Sequence, residues 1–121
     1  MQGGRLEDAA LEGVAAEATV LVGFSQGAIM ALATLARADA PARTVVAIAG
    51  RLAEPPAQVA PATTVHVLHG EADPLLPVEC GRDVAHLVPG AEFQSYPGWG
   101  HDMPEALLPT LVERIATFCK Q

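Results

Sequence analysis

Three residues of this sequence have the types and the order that nucleophilic acyl transfer requires: Ser25, Asp73 and His101. A serine hydroxyl is a weak nucleophile until an imidazole takes its proton, and the imidazole in turn needs a carboxylate to fix its tautomer and stabilise its charge. Ser25 stands in Gly23-Phe24-Ser25-Gln26-Gly27, a G-x-S-x-G pattern. After a strand and before a helix, that pattern holds the serine in a strained backbone and lifts its hydroxyl above the sheet, with glycines where side chains would collide. Asp73 follows in His69-Gly70-Glu71-Ala72-Asp73-Pro74-Leu75-Leu76-Pro77, and His101 in Tyr96-Pro97-Gly98-Trp99-Gly100-His101-Asp102. The order serine, acid, histidine is the one expected for such an elbow.

G-x-S-x-G by itself also describes an ordinary glycine-rich turn, so the flanking elements decide. Thr19 to Val22 is a short apolar run, and Ala28 to Arg37 has helical length and an Ala- and Leu-rich composition. Strand, turn and helix are therefore all in place. Thr64 to Leu68 reads as a strand ending just before the Asp73 loop, and Glu92 to Tyr96 as a strand ending just before the His101 loop. All three residues then lie beyond the carboxyl ends of strands, where open parallel sheets build their sites.

Gly-Phe-Ser-Gln-Gly at 23 to 27, His-Gly-x-x-Asp-Pro-Leu-x-Pro at 69 to 77 and Gly-x-Gly-His at 98 to 101 resemble the phospholipase/carboxylesterase branch of the α/β-hydrolases, which includes acyl-protein thioesterases. The resemblance runs over nearly the whole chain and implies Ser25, Asp73 and His101 as the triad. Members of that family carry earlier strands and a His-Gly-x-Gly-type loop that supplies part of the oxyanion hole. Only 24 residues precede Ser25, so the expectation is a truncated α/β-hydrolase fold: one minimal or partial domain over residues 1–121, with about four mostly parallel strands flanked by helices.

Composition narrows the function classes. Half of the 121 residues are hydrophobic but only five are aromatic, so the core has to be built from Ala, Val and Leu. Fourteen acidic residues against seven basic ones give a net charge of −7, which repels nucleic-acid phosphates and anionic membrane surfaces. Neither is expected as a partner. Cys80 and Cys119 are too few and too unpatterned for a disulfide framework or a metal or redox motif, and no cofactor or metal is called for. The amino end leads into a polar helical stretch and no apolar run reaches membrane-spanning length, which predicts a cytoplasmic protein.

The remaining elements follow from periodicity. Leu6 to Glu17 has apolar residues at helical spacing and reads as an amphipathic surface helix. Thr19–Val22 and Thr44–Ala49 lack polar alternation and read as strands buried on both faces, hence a parallel sheet. The helix from Gln26 to about Arg37 is apolar nearly all round and should be buried. Residues 53 to 63, with Pro55, Pro56 and Pro61, look irregular. Val78 to Leu87 reads as a helix, and the polar strand Glu92–Tyr96 as a sheet edge. In the last helix, Asp102-Met103-Pro104-Glu105 looks like a cap, and Leu107, Leu108, Leu111, Val112, Ile115 and Phe118 mark the inner face.

Several residues have a plainer reading than catalysis. His66 should be a hydrogen-bonded core residue, His69 should brace the Asp73 loop, and His86 should be solvated. Asp102 is too close in sequence to His101 to meet its ring well. Within the site, the amide of Gln26 is the expected oxyanion donor, and Phe24, Leu52, Leu75, Leu76 and Trp99 the expected apolar wall for substrate. The reading is a serine hydrolase for short- to medium-chain carboxylic esters or thioesters, with peptides ranked below esters. The opposing reading is a non-catalytic remnant or fragment acting as a binding module. A homo-oligomer, most simply a dimer, is expected because Thr19–Val22 would be an unprotected edge.

Overall fold

The apolar runs become neighbouring strands of one sheet. In a computed structural model, which describes residues 15–36, 42–54 and 63–120, β1 (Val20–Phe24) leads into α1 (Gln26–Ala33) and a 3-10 turn at Thr34–Ala36. Then come β2 (Thr44–Ile48), β3 (Thr64–Gly70), α2 (Val78–Leu87), β4 (Glu92–Tyr96) and α3 (Leu108–Lys120). The strands pair in the order β1-β2-β3-β4, every pair parallel. The chain is thus an α/β protein in which all four strands point their carboxyl ends the same way.

Period-two alternation divides the core into two layers. Val45, Ala47, Val65 and Val67 face α1 and α2, packing with Ala28, Ala31, Leu32, Leu35, Val84 and Val88. Val46, Ile48 and Leu68 face the other way, against Leu111 and Phe118 of α3 and against Trp99. Every position of β2 is buried because helices cover both of its faces and strands flank both of its edges. Mostly aliphatic side chains of modest size fill both layers, as the scarcity of aromatics requires.

Four expectations change. β1 was expected to be buried on both faces, yet only its Gly23 is buried and Val22 is 47% exposed, because β1 is the outer strand of the described sheet. The regular part of α1 stops at Ala33 rather than near Arg37, which lies outside the described residues, and only one side of it is buried. α3 begins at Leu108, after a turn in which the amides of Leu107 and Leu108 bond the Pro104 carbonyl, so Asp102 does not cap it. Its inner face is Leu111 and Phe118 with Leu107 and Ile115 beside them, whereas Val112 is 63% exposed and Leu108 also faces out. A single sheet face contacts α3, so an apolar stripe wider than that contact is left in solvent. The expected helix from Leu6 lies outside the described residues up to position 14, with a 3-10 turn at Ala16–Ala18, and so do the three prolines of the 53–63 segment.

Candidate active site

The elbow is built by backbone, not by side chains. Ser25 has φ 57° and ψ −116°, a conformation L residues rarely adopt, and occupies the N-cap of α1. Its amide donates to the Ile48 carbonyl at 2.8 Å and its carbonyl accepts from the Ile29 amide at 3.1 Å, so the strain is held from both sides. Gly23 is demanded by contact, since a Cβ there would lie 2.3 Å from the Gly27 carbonyl oxygen. Gly27 is not: a Cβ there meets nothing within 4 Å, which corrects the expectation that both glycines avoid collision.

The acid and histidine loops meet because parallel pairing continues past the ends of β3 and β4. The Glu71 amide bonds the Tyr96 carbonyl and the Ala72 amide bonds the Trp99 carbonyl, both at 2.9 Å. Gly70 lets the two loops close, because a Cβ there would stand 2.2 Å from the Trp99 oxygen. On the other side of β3, the Ala49 amide bonds the Leu68 carbonyl at 2.9 Å, and Ala49 itself takes φ 56°. The ends of all four strands are thereby laced together above the sheet.

Within this frame Ser25, His101 and Asp73 form one hydrogen-bonded chain. Ser25 Oγ lies 2.7 Å from His101 Nε2, and His101 Nδ1 lies 2.7 Å from Asp73 Oδ2. Nδ1 must carry the ring proton to donate to a carboxylate, which leaves Nε2 to accept from the serine hydroxyl. The Asp73 side chain is fully buried and that of His101 is 11% exposed. The other carboxylate oxygen, Oδ1, accepts the amides of Leu75 at 2.9 Å and Leu76 at 2.8 Å. Burial, the largest single influence on Asp73, pushes its pKa up. The bonds from the Leu76 amide, the His101 ring and the Leu75 amide together outweigh it, holding the carboxyl below its usual range. A charged acid facing a correctly oriented imidazole is the result.

Gln26 opens α1, and as the first residue of the helix its amide has no partner within it. Phe24 packs a tilted ring at 5.4 Å from that of His101. Leu52 leans on the core layer beneath α1, and Leu75 is 71% exposed. Beyond the apolar wall expected of their side chains, the amides of Leu75 and Leu76 touch Asp73. The sequence carried a signal for this, since Asp side chains readily accept amides two and three residues on. Trp99, expected in the apolar wall, is mostly withdrawn into the core. It is 4% exposed, belongs to the core layer beside α3, meets Tyr96 edge-on and donates its indole N–H to the Asp102 carbonyl at 2.7 Å. It also lines an open cleft of about 430 Å3 beside His101, together with Ala72, Pro74, Gly100 and Pro104.

Other candidates fall away from this centre. Ser95, on β4, donates to Glu71. The Cys80 thiol is pushed up by burial and by the Asp83 carboxylate, which disfavours the reactive thiolate. His86 is exposed, as expected. His66 is not the hydrogen-bonded core residue expected: it is buried and stacked on Phe118 at 3.7 Å, yet neither ring nitrogen has a hydrogen-bond partner. Among the described residues no group of three or more His, Cys, Asp or Glu side chains could hold a metal ion, and no helix is long and apolar enough to cross a membrane.

A parallel sheet between helices, with a strained serine on the turn that follows a strand, defines the α/β-hydrolase class. More narrowly, the chain belongs to the phospholipase/carboxylesterase family, whose sequence profile matches residues 6–119. It is 44% identical over 80 residues to Esterase YpfH of Escherichia coli, covering 66% of this chain and 32% of that protein. It is 32% identical over 108 residues to Acyl-protein thioesterase 1 of Gibberella zeae, covering 78% of this chain and 46% of that one. The solved structure of esterase PE8 superposes with a TM-score of 0.76 at 30% identity, covering 94% of this chain and 57% of its own. The Bacillus cereus carboxylesterase superposes with a TM-score of 0.73 at 19% identity, over 93% and 56% of the two chains, a likeness of fold. The chain therefore spans about a third to a half of the length of these two curated relatives.

Proposed function

We propose that this chain is a serine hydrolase that cleaves small carboxylic esters or thioesters through an acyl-enzyme. The observation that carries the reading is the unbroken chain from Ser25 Oγ through His101 to Asp73, with 2.7 Å at each step. His101 Nε2 takes the proton as Ser25 Oγ attacks the carbonyl carbon, and Asp73 stabilises the imidazolium that forms. The developing oxyanion faces the amide of Gln26 at the positive end of α1. Collapse expels the alcohol or thiol, which takes its proton from His101. Water activated by the same imidazole then releases the acid and frees Ser25.

Short- to medium-chain acyl groups suit the site, because the cleft beside His101 is open and the chain is too short to carry a large lid. A rate that kept rising into long-chain lipids would oppose this. Incubation with a fluorophosphonate followed by peptide mass spectrometry tests the nucleophile. The adduct is expected on Ser25 and not on Ser95, the one other serine. A correctly folded protein that takes no label would return the reading to a non-catalytic binding module.

The same proposal includes a cytoplasmic homodimer formed along the β1 edge. Val20 to Phe24 offers a strand with a half-exposed Val22 and neither charge nor proline to discourage pairing. Sedimentation at micromolar concentration should give twice the chain mass. An active monomer would overturn the dimer.

A further inference from the structure

We propose that His69 is a positioning residue for this site, acting through the Leu76 carbonyl on the carboxylate of Asp73. The inference rests on the hydrolase reading for its kinetic consequence, but its structural consequence stands apart. His69 lies on β3, four residues before Asp73, and its ring is completely buried. Nε2 is 2.7 Å from the Leu76 carbonyl oxygen. A carbonyl only accepts, so Nε2 carries the proton and donates it. The same nitrogen is 3.5 Å from Asp73 Oδ2, the oxygen that receives His101.

Leu76 is consequently held at both ends. Its carbonyl is fixed by a ring rooted near the carboxyl end of the inner strand β3, and its amide is one of the two that occupy Asp73 Oδ1. Without His69, the turn from Asp73 to Leu76 keeps the Asp73 amide on the Gly70 carbonyl at 3.3 Å, but its far end at Leu76 is held only through the carboxylate whose direction it is supposed to set. With His69, the turn is pinned independently and Oδ2 is aimed at His101.

The seat of the ring supports the role. Gly81 of α2 presents bare backbone to it: a Cβ there would lie 3.0 Å from His69 Nδ1 and 2.8 Å from the Phe93 ring. The ring therefore has little room to tilt. Its Nδ1 has no hydrogen-bond partner. A buried imidazole satisfied at one nitrogen is a poor choice for filling space, since an apolar side chain there would leave no polar atom unpaired. The bond to Leu76 is what an apolar side chain could not make.

The test compares the full chain with His69→Phe, which keeps a ring but no donor, and His69→Gln, whose amide nitrogen reaches about as far as Nε2. Hydrolysis of p-nitrophenyl acetate gives kcat and KM, thermal melting checks the fold, and low-field proton NMR reads the His101 Nδ1–H bonded to Asp73. His69→Phe should lower kcat about 10- to 100-fold with little change in KM, the scale of a misplaced supporting group. It should also weaken the low-field proton, and His69→Gln should restore much of both. A folded His69→Phe with native kcat and an unchanged proton would overturn the proposal, as would a folded His69→Gln no better than His69→Phe. A wild-type chain with no Ser25-dependent turnover would sink the hydrolase reading instead, and the proton signal would still decide the role of His69. Should His69→Phe not fold, Gly81→Ala presses on the same ring and is expected to lower kcat likewise; native kcat in that variant would count against the proposal.

Discussion

His101, in the loop beyond β4, and His66, on β3, each face a carboxylate through Nδ1, and the two pairs differ in distance, burial and hydrogen bonding. His101 Nδ1 meets Asp73 at 2.7 Å, while His66 Nδ1 stands 3.5 Å from Glu92 with no hydrogen bond formed. The Asp73 side chain is fully buried and its far oxygen is occupied by two amides; the Glu92 side chain is 69% exposed on the edge strand. Burial lowers the pKa of His66, partly countered by Glu92 and reinforced by Arg114. A carboxylate orients an imidazole only when its own second oxygen is tied down, and a solvated one on an edge strand is not. The first pair is joined by a short hydrogen bond, and the second leaves a ring that packs on Phe118.

The comparison breaks most sharply at the serine. Ser25→Ala should lower ester hydrolysis by on the order of a million-fold while leaving the melting temperature near that of the wild type, read by steady-state rates and calorimetry. Next comes the acid: Asp73→Asn should cost about 10,000-fold, because the amide presents the wrong hydrogen-bonding partner to Nδ1, whereas Asp102→Asn should stay near wild type. If the two results were exchanged, the assignment of the pair would be reversed. Asp73 also titrates below its ordinary 3.8, so its contribution to stability is present above that value and disappears as pH falls through the lower folded one. Asp73→Asn should flatten the acid end of the stability profile measured by urea unfolding.

The smallest effect belongs to His66. Its folded pKa lies below the ordinary 6.5, so the unfolded chain takes up the proton first and stability falls as pH drops from about that value. The slope from this one group cannot exceed about 1.4 kcal/mol per pH unit. His66→Phe should remove it, leave kcat unchanged and keep the stack on Phe118. A variant whose stability between pH 7 and 5 falls as steeply as the wild type would show that His66 does not titrate in this way.

Much of the site was legible in the chain because its chemistry is local. The turn between Val22 and Ala28 needs a glycine at 23 and strains the residue at 25, whatever the rest of the protein does. Asp73 and His101 each follow a strand by a few residues, which places them at one end of a parallel sheet. The helix limits were less legible. Leu108 and Val112 continue an apolar period that nothing in the sequence cuts off, and they face solvent because the sheet offers α3 only a narrow contact. Trp99 was expected in an apolar wall; its indole lies largely in the core, tied to the Asp102 carbonyl, while the residue also lines the cleft beside His101.

The sequence by itself therefore determined which side chains could react, in what order they come, and that parallel strands would deliver them to the same end. Those facts depend on residue type and on periods of two and near four, which are written along the chain. Only the tertiary structure decided which histidine met which carboxylate, and with what geometry. That depended on backbone bonds between loops far apart in sequence, Glu71 to Tyr96 and Ala72 to Trp99, and on which strand came to lie at an edge. Less than an ångström, 2.7 Å against 3.5 Å, separates the hydrogen-bonded imidazole from the packed one, and no local pattern encodes it.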